Sequence, residues 1–309
     1  MNKLFTFCVG CLFLACEVEH QQEAHLSLGG QYIRLDTKDE IKEFFEWKPD
    51  RIPLVSAHRG GPYPGYPENS LEAFEHVLRY TPAIIEFDVA ISKDSILVLM
   101  HDNTLERTTT GKGKVIDHTY EEIRDLYLID KEGKRTSFRV PTLDEVLEWG
   151  RGKTVFTVDI KREVPFEMVV EAIQRHQAQP YAAVITYNVA AAKKIHSMDP
   201  DLMLSLSIRN EEELERHSNS GIPVENWIAF TGTSERSENF NRKLHELGVF
   251  TILGVIGNLD RRAEARGDTT YRSYVKRGAD ILATDRPIET AKALTELIPE
   301  NSKMKKYFD

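Results

Sequence analysis

The sequence predicts an α/β fold, a (β/α)8 TIM barrel with a β-hairpin extension after barrel strand 2, on three observations. From residue 52 onward, eight short β-rich apolar runs alternate with helical patterns, at 54–57, 84–91, 154–160, 183–187, 202–208, 227–230, 250–255 and 280–283. The alternation extends over about 250 residues, the usual length of an eightfold barrel. A ninth run, 96–100, begins too soon after residue 91 to leave room for a crossover helix, so it must return antiparallel as a hairpin.

The elements follow in chain order. Lys3 precedes an apolar run from Leu4 to Ala15 that has the length of a secretory signal and is too short to cross a bilayer. Leu14-Ala15-Cys16 reads as a bacterial lipoprotein cleavage site, which makes 1–16 a signal peptide and starts the mature chain at a lipidated Cys16. Ordinary signal cleavage is the other reading. The first predicts an exported lipoprotein held on a membrane and facing the periplasm or cell surface, the second a soluble periplasmic protein. All three cysteines lie in this segment, so the mature chain has no disulfide. Residues 17–50 read as a tether with one helix over 38–47, capped by Thr37 and plugging the bottom of the domain. Residues 51–309 form the barrel, with helical patterns at 70–79, 166–176, 189–197, 237–247 and 271–277.

Composition narrows the partners. The 309 residues are 41% hydrophobic and 29% charged, enough for one domain with a sizeable core. A net charge of -9 without a basic run argues against nucleic acid and leaves room for a small phosphorylated substrate met by a local cation.

The hairpin decides which side chains meet. With a two-residue loop at Asp94-Ser95, Asp88 lies opposite His101, and Glu86, Asp88 and His101 share one face. An odd-numbered loop puts Met100 opposite Asp88 instead. Glu86 and Asp88 offer hard oxygen ligands on one side of a strand, suited to Mg²⁺ or Ca²⁺, and Asp159 ends the next barrel strand in a similar apolar setting. Any one of them alone could be a structural ion pair; three inward-facing acids flanked by apolar residues call for a compensating cation. His58 follows a strand and could be a satisfied structural histidine by itself. With His101 it forms a pair in which one imidazole accepts a proton from an attacking oxygen and the other donates one to a departing alkoxide. Arg59 offers a planar fork for phosphate oxygens and Lys161 a point charge. The Thr110-Gly111-Lys112-Gly113 run lacks the spacing of a P-loop and reads as a plain loop.

Together these residues resemble the glycerophosphodiester phosphodiesterase family, in its bacterial, exported lipoprotein form. The resemblance rests on His58-Arg59-Gly60, Glu68-Asn69, Glu86-Phe87-Asp88, His101-Asp102, the Leu105, Arg107, Thr108, Thr109, Gly111 and Gly113 run, Asp159-Ile160-Lys161 and Ala283-Thr284-Asp285-Arg286-Pro287. It implies metal-dependent hydrolysis of deacylated phospholipids to glycerol 3-phosphate and an alcohol, through a cyclic phosphate formed by the glycerol 2-hydroxyl. It also implies His58 as proton acceptor, His101 as proton donor, Arg59, Glu68 and Lys161 on the substrate, and Glu86, Asp88 and Asp159 on one Ca²⁺ or Mg²⁺.

Three features depart from the family pattern: Asp159 stands where Glu is usual, the run at 250–255 lacks Trp-Thr-Val-Asn, and the loop 61–67 is rich in Pro and Tyr, either a pocket wall or a rigid turn. Three other readings use the same residues: a phospholipase D-like lipid cyclase of the same superfamily, a glycosidase built on paired carboxylates, and a lipoprotein that only binds phosphorylated ligands.

Overall fold

The computed structural model describes residues 30–309; the expected signal peptide, Cys16 and the first part of the tether lie outside the described residues. Strands β1 (Leu54–Ala57) and β2 (Ile84–Ile91) pair in parallel, and β3 (Leu97–Leu99) returns antiparallel on β2. Strands β4 (Phe156–Ile160), β5 (Ala182–Thr186), β6 (Met203–Ser207), β7 (Trp227–Phe230), β8 (Phe250–Gly254) and β9 (Ile281–Thr284) continue the parallel ring, which closes where β9 pairs with β1. Eight parallel strands therefore form the barrel, with β3 bonded outside it, as the alternation of runs predicted. Helix α1 (Lys38–Phe44) precedes the ring, and α2 (Leu71–Leu78), α3 (Tyr120–Arg124) and α4 (Leu143–Gly150) lie between β1 and β4. Helices α5 (Phe166–Arg175), α6 (Val189–Met198), α7 (Glu211–Ser218), α8 (Glu238–Glu246), α9 (Asn258–Arg266), α10 (Thr270–Lys276) and α11 (Pro287–Leu294) complete the set. No helix among the described residues is long and apolar enough to cross a membrane.

Side-chain alternation explains why the barrel is apolar at one end and polar at the other. The first inward residues of the strands, Leu54, Ile84, Val155, Ala183, Met203, Ile228, Phe250 and Ile281, form one cluster with Ile33, Ile41, Phe44 and Phe45 from the N-terminal segment and Met304, Tyr307 and Phe308 from the C-terminus. Two or four residues further along stand Ser56, Glu86, Asp88, Thr157, Asp159, Ser205 and Ser207, all buried. The bottom is thus closed by packing and the polar residues crowd toward the C-terminal ends of the strands, the face that carries function in this architecture.

Helix α1 starts where the sequence places it: the Thr37 hydroxyl accepts the Glu40 N–H and the Glu40 carboxylate accepts the Thr37 N–H, a full capping box. It ends before the expected residue 47. Glu46 bridges to Val249 and the Trp47 N–H donates to the Gly248 carbonyl, so the backbone there belongs to the barrel rather than to the helix.

The hairpin forms, but its register differs from the two-residue expectation. Val89 pairs with Leu99, Ala90 with Val98 and Ile91 with Leu97, and the Met100 N–H donates to the Asp88 carbonyl. The loop therefore has three residues, Lys93, Asp94 and Ser95, and Met100 rather than His101 lies opposite Asp88. Ser95 takes the left-handed conformation, φ 64°, that completes a three-residue hairpin, and the Ser92 hydroxyl donates to Asp94 while accepting the Ile96 N–H. The shift also satisfies packing. Met100 joins Ala90, Val98, Leu105, Val115, Ile123, Leu128 and Val140 in the core of a small lobe inserted between β3 and α4.

Candidate functional site

At the end of β1 the chain makes one tight turn, His58-Arg59-Gly60, in which Arg59 (φ 51°), Gly60 (φ 81°) and Gly61 (φ 72°) are all left-handed. Gly60 is required twice over, because a Cβ there would lie 2.2 Å from the Phe74 ring. The turn aims the Arg59 N–H at Glu86, whose Oε2 accepts it at 2.7 Å. His58 Nδ1 lies 2.7 Å from Asp285 Oδ1. An ionised carboxylate can only accept, so Nδ1 donates, and in the neutral ring Nε2 is left with the lone pair. Burial works to lower the His58 pKa, but Asp285 and the charge of Glu86 outweigh it and raise it above the ordinary value.

Glu86 and Asp88 share the inner face of β2, and the parallel register sets Asp88 beside Asp159 on β4. One carboxylate oxygen from each of Glu86, Asp88 and Asp159 lies within 4.8 Å of the other two. Burial, then the charge of Asp88, holds the Glu86 carboxyl well above the usual range. Asp88 goes the other way: burial raises it, but Lys161, the Asn69 amide and His101 outweigh burial and keep it low. Lys161 Nζ sits 2.6 Å from Asp88 and 2.8 Å from Asp159, bridging them as a cation would. Asn69, itself left-handed at φ 56°, holds Asp88 from both sides, its Nδ2 donating to Oδ2 and its Oδ1 accepting the Asp88 N–H. The Tyr187 hydroxyl donates to Asp159 Oδ1 at 2.9 Å while its ring stays exposed at the mouth. Three clustered oxygen donors, one of them driven toward its neutral form by burial and then by its acidic neighbours, fit a hard divalent cation: such an ion removes the repulsion that the fixed cations leave uncompensated.

His101 reaches this site by a route other than strand pairing. It lies past the end of β3, where the chain bends, and its charge is felt at Asp88. Its Nδ1 is 2.7 Å from Asp102 Oδ1. Arg107 then grips Asp102 through Nε and Nη2, at 2.5 and 3.0 Å, and Glu68 through Nη1 and Nη2, both at 2.8 Å. The Arg107 hydrogen bonds are the largest cause of Asp102 being held at about 2. Glu68 also accepts from Arg59 Nη1 at 3.0 Å, so both its oxygens are engaged by guanidinium groups. Arg59 Nε is buried without a hydrogen-bond acceptor, 3.6 Å from Asp88 Oδ2.

All eight residues singled out from the sequence, His58, Arg59, Glu68, Glu86, Asp88, His101, Asp159 and Lys161, belong to this one connected cluster. The sequence reading gave no role to Asn69, Asp102, Arg107, Tyr187 or Asp285. Four of these stood in the motifs it quoted, and Asn69, tolerant of left-handed φ, carried the clearest local signal. The loop 61–67 is pinned at both tyrosines: Tyr63 and Tyr66 exchange backbone hydrogen bonds across Pro64-Gly65, Tyr66 stacks on His76 at 3.8 Å, and the Tyr63 hydroxyl donates to Glu289, while Pro64 and Gly65 line a shallow cavity with Asp130 and Phe138.

A sequence profile of the glycerophosphoryl diester phosphodiesterase family matches residues 58–277. The chain is 38% identical to a glycerophosphoryl diester phosphodiesterase of known structure from Parabacteroides distasonis, with a TM-score of 0.84 over 90% of this chain and 98% of that one. It is 34% identical over 160 residues to the glycerophosphodiester phosphodiesterase of Caldanaerobacter subterraneus, a match that takes in 50% of this chain and spans 65% of that relative's length. It shares the fold, at 20% identity and a TM-score of 0.63, with an Oleispira antarctica phosphodiesterase crystallised with its product sn-glycerol-3-phosphate, over 79% of this chain and 97% of that one. With a profile that takes in the turn at His58, the carboxylate cluster and the inserted lobe, and a structural match over 90% of the chain at 38% identity, the chain belongs to the glycerophosphoryl diester phosphodiesterase family.

Proposed function

We propose that this protein hydrolyses glycerophosphodiesters to glycerol 3-phosphate and an alcohol, using His58 and His101 as proton acceptor and donor. The observation that carries this reading is the placement of two carboxylate-backed imidazoles around Arg59 and the Glu86, Asp88 and Asp159 cluster. The Arg59 guanidinium, half-buried beside these acids, offers charge-assisted donors to phosphate oxygens. The structural relative from Oleispira, which holds glycerol 3-phosphate in the same fold, is consistent with that ligand class.

The steps follow from the hydrogen bonds. His58, with Nδ1–H directed to Asp285, accepts at Nε2 the proton of the glycerol 2-hydroxyl as its oxygen bonds to phosphorus. The bond to the alcohol breaks, its electron pair stays on that oxygen, and His101 supplies the proton while Asp102 retains Nδ1–H. Water opens the resulting cyclic phosphate with the two roles exchanged. Arg59 neutralises the phosphate, and Lys161 is within a short side-chain swing of the same oxygens. Glu86, Asp88 and Asp159 would hold one Ca²⁺ or Mg²⁺, which when bound supplies charge stabilisation at the phosphoryl oxygen and acidifies a nearby hydroxyl.

Incubation with a panel of glycerophosphodiesters, with and without EDTA and followed by phosphorus NMR, tests the reading. Glycerol 3-phosphate should appear, vanish with EDTA and return with Ca²⁺ or Mg²⁺. A cyclic phosphate that accumulates from intact lysolipid would instead favour a lipid cyclase, and turnover of glycosides unaffected by EDTA would favour a glycosidase. We also propose that the protein is exported and anchored through lipid on Cys16, a residue outside the described region; Cys16→Ala should move it from the membrane to the soluble fraction.

A further inference from the structure

The two imidazoles differ in how their carboxylates are held. Asp285 directly follows β9, and its own N–H is fixed by the buried Asp260, which also accepts from Thr284 and Tyr271. Asp102 sits on a bend beyond the end of β3, with no strand to hold it. What holds it is Arg107. The guanidinium spreads over Asp102 on one edge and Glu68 on the other, and Glu68 is gripped in turn by Arg59.

We propose that Arg107 is a positioning residue for proton donation: by fixing the orientation of Asp102 against Glu68, it holds the His101 ring with Nδ1–H on Asp102 and Nε2–H toward the departing oxygen. The inference rests on His101 acting as the proton donor. In the step concerned, the P–O bond to the alcohol breaks, the electron pair remains on the alcohol oxygen, and the Nε2 proton of the doubly protonated ring passes to it. Neutral imidazole remains, still donating Nδ1–H to Asp102. The same chain of charges links this ring to the phosphate ligand, since Glu68 is shared by Arg107 and Arg59. A simple staple for the inserted lobe is a poorer explanation. The lobe has its own apolar core, and it is already bonded to the barrel through Gly65 and Asp130 and through Leu99 and Pro141. Stapling to Glu68 would not require a second fork on Asp102.

Arg107→Met and Arg107→Lys, compared in single-turnover release of two leaving groups, test this. One substrate carries an alkyl alcohol, which needs a proton to depart, and the other carries p-nitrophenol, which does not. Arg107→Met should lose roughly 10- to 100-fold in the rate constant on the alkyl diester with KM little changed, and only a few-fold on the nitrophenyl diester. Arg107→Lys should recover part of the loss, since a lysine cannot make both forks. Asp102→Asn, which keeps the side-chain shape, should repeat the pattern if Arg107→Met folds poorly. Equal losses on both substrates, or a loss confined to KM, would overturn the proposal. The ¹⁵N NMR signature of the His101 ring, read at a pH where the ring is neutral, is an activity-independent readout, expected to show Nδ1–H in the parent and a mixture of tautomers in Arg107→Met; an unchanged ring overturns the proposal. A parent protein that hydrolyses no diester would refute the proposed function and the role in proton donation with it, and a ring that still responds would then show only that Arg107 orients His101.

Discussion

Arg59 and Gly60 concentrate several requirements in two adjacent positions. Arg59 accepts a left-handed backbone to present its N–H to Glu86 and its side chain to Glu68, and Gly60 must be left-handed and must leave its α-carbon bare against Phe74. Gly60→Ala should therefore cost about 2–4 kcal/mol from backbone strain and overpacking together. It should be visible as a lower melting temperature, and activity should fall with it because the same turn aims His58. The histidines, the acids and Arg59 were legible in the sequence because strand ends and i, i+2 acids have local signatures. Asp285 was not legible as a partner of His58: 227 positions separate them, and only closure of β9 on β1 brings them together.

The hairpin shows what residue types alone do not settle. Its existence could be read from the short gap between two apolar runs. Its register could not, because Asp94-Ser95 suggests a two-residue loop and only the left-handed Ser95 makes it three. Glycine adopts that conformation without strain, so Ser95→Gly should stabilise the protein by up to about 1 kcal/mol, less what the freer unfolded chain takes back. A thermal melt checks this, and a destabilised variant would speak against the three-residue loop. His101 reaches the acids although the pairing that first placed it there is wrong, since a residue beyond the last ladder bond is released from strand alternation. The lobe that follows carries Asp102 and Arg107, so β3 and the lobe together act as a bracket that brings a second ring to the acids of β2 and β4.

Across the whole molecule, closure depends on a buried charge at the bottom of the barrel. Asp280, fully buried, accepts from the Arg51 and Trp47 side chains, from Thr251 through both its N–H and its hydroxyl, and meets His245 Nε2 at 2.9 Å; Trp47 stacks on His245 at 4.5 Å. Burial alone would raise its pKa, but His245 and Arg51 prevail and lower it. Its stabilising effect is therefore complete above the unfolded carboxyl value of about 4 and is lost as pH falls through the lower folded value. Asp280→Asn should remove about 2–4 kcal/mol near neutral pH, where it takes the charge partner from the half-buried Arg51, and should flatten the acid limb of a melting temperature against pH curve. The same end of the barrel joins the first described residues to the last. Ile33 bridges Phe308, and the Gln31 and Tyr32 N–H groups both donate to the Asp309 carbonyl. Residue 30 therefore lies at the pole opposite the carboxylates, so whatever precedes it joins the barrel on the face that does not carry the site.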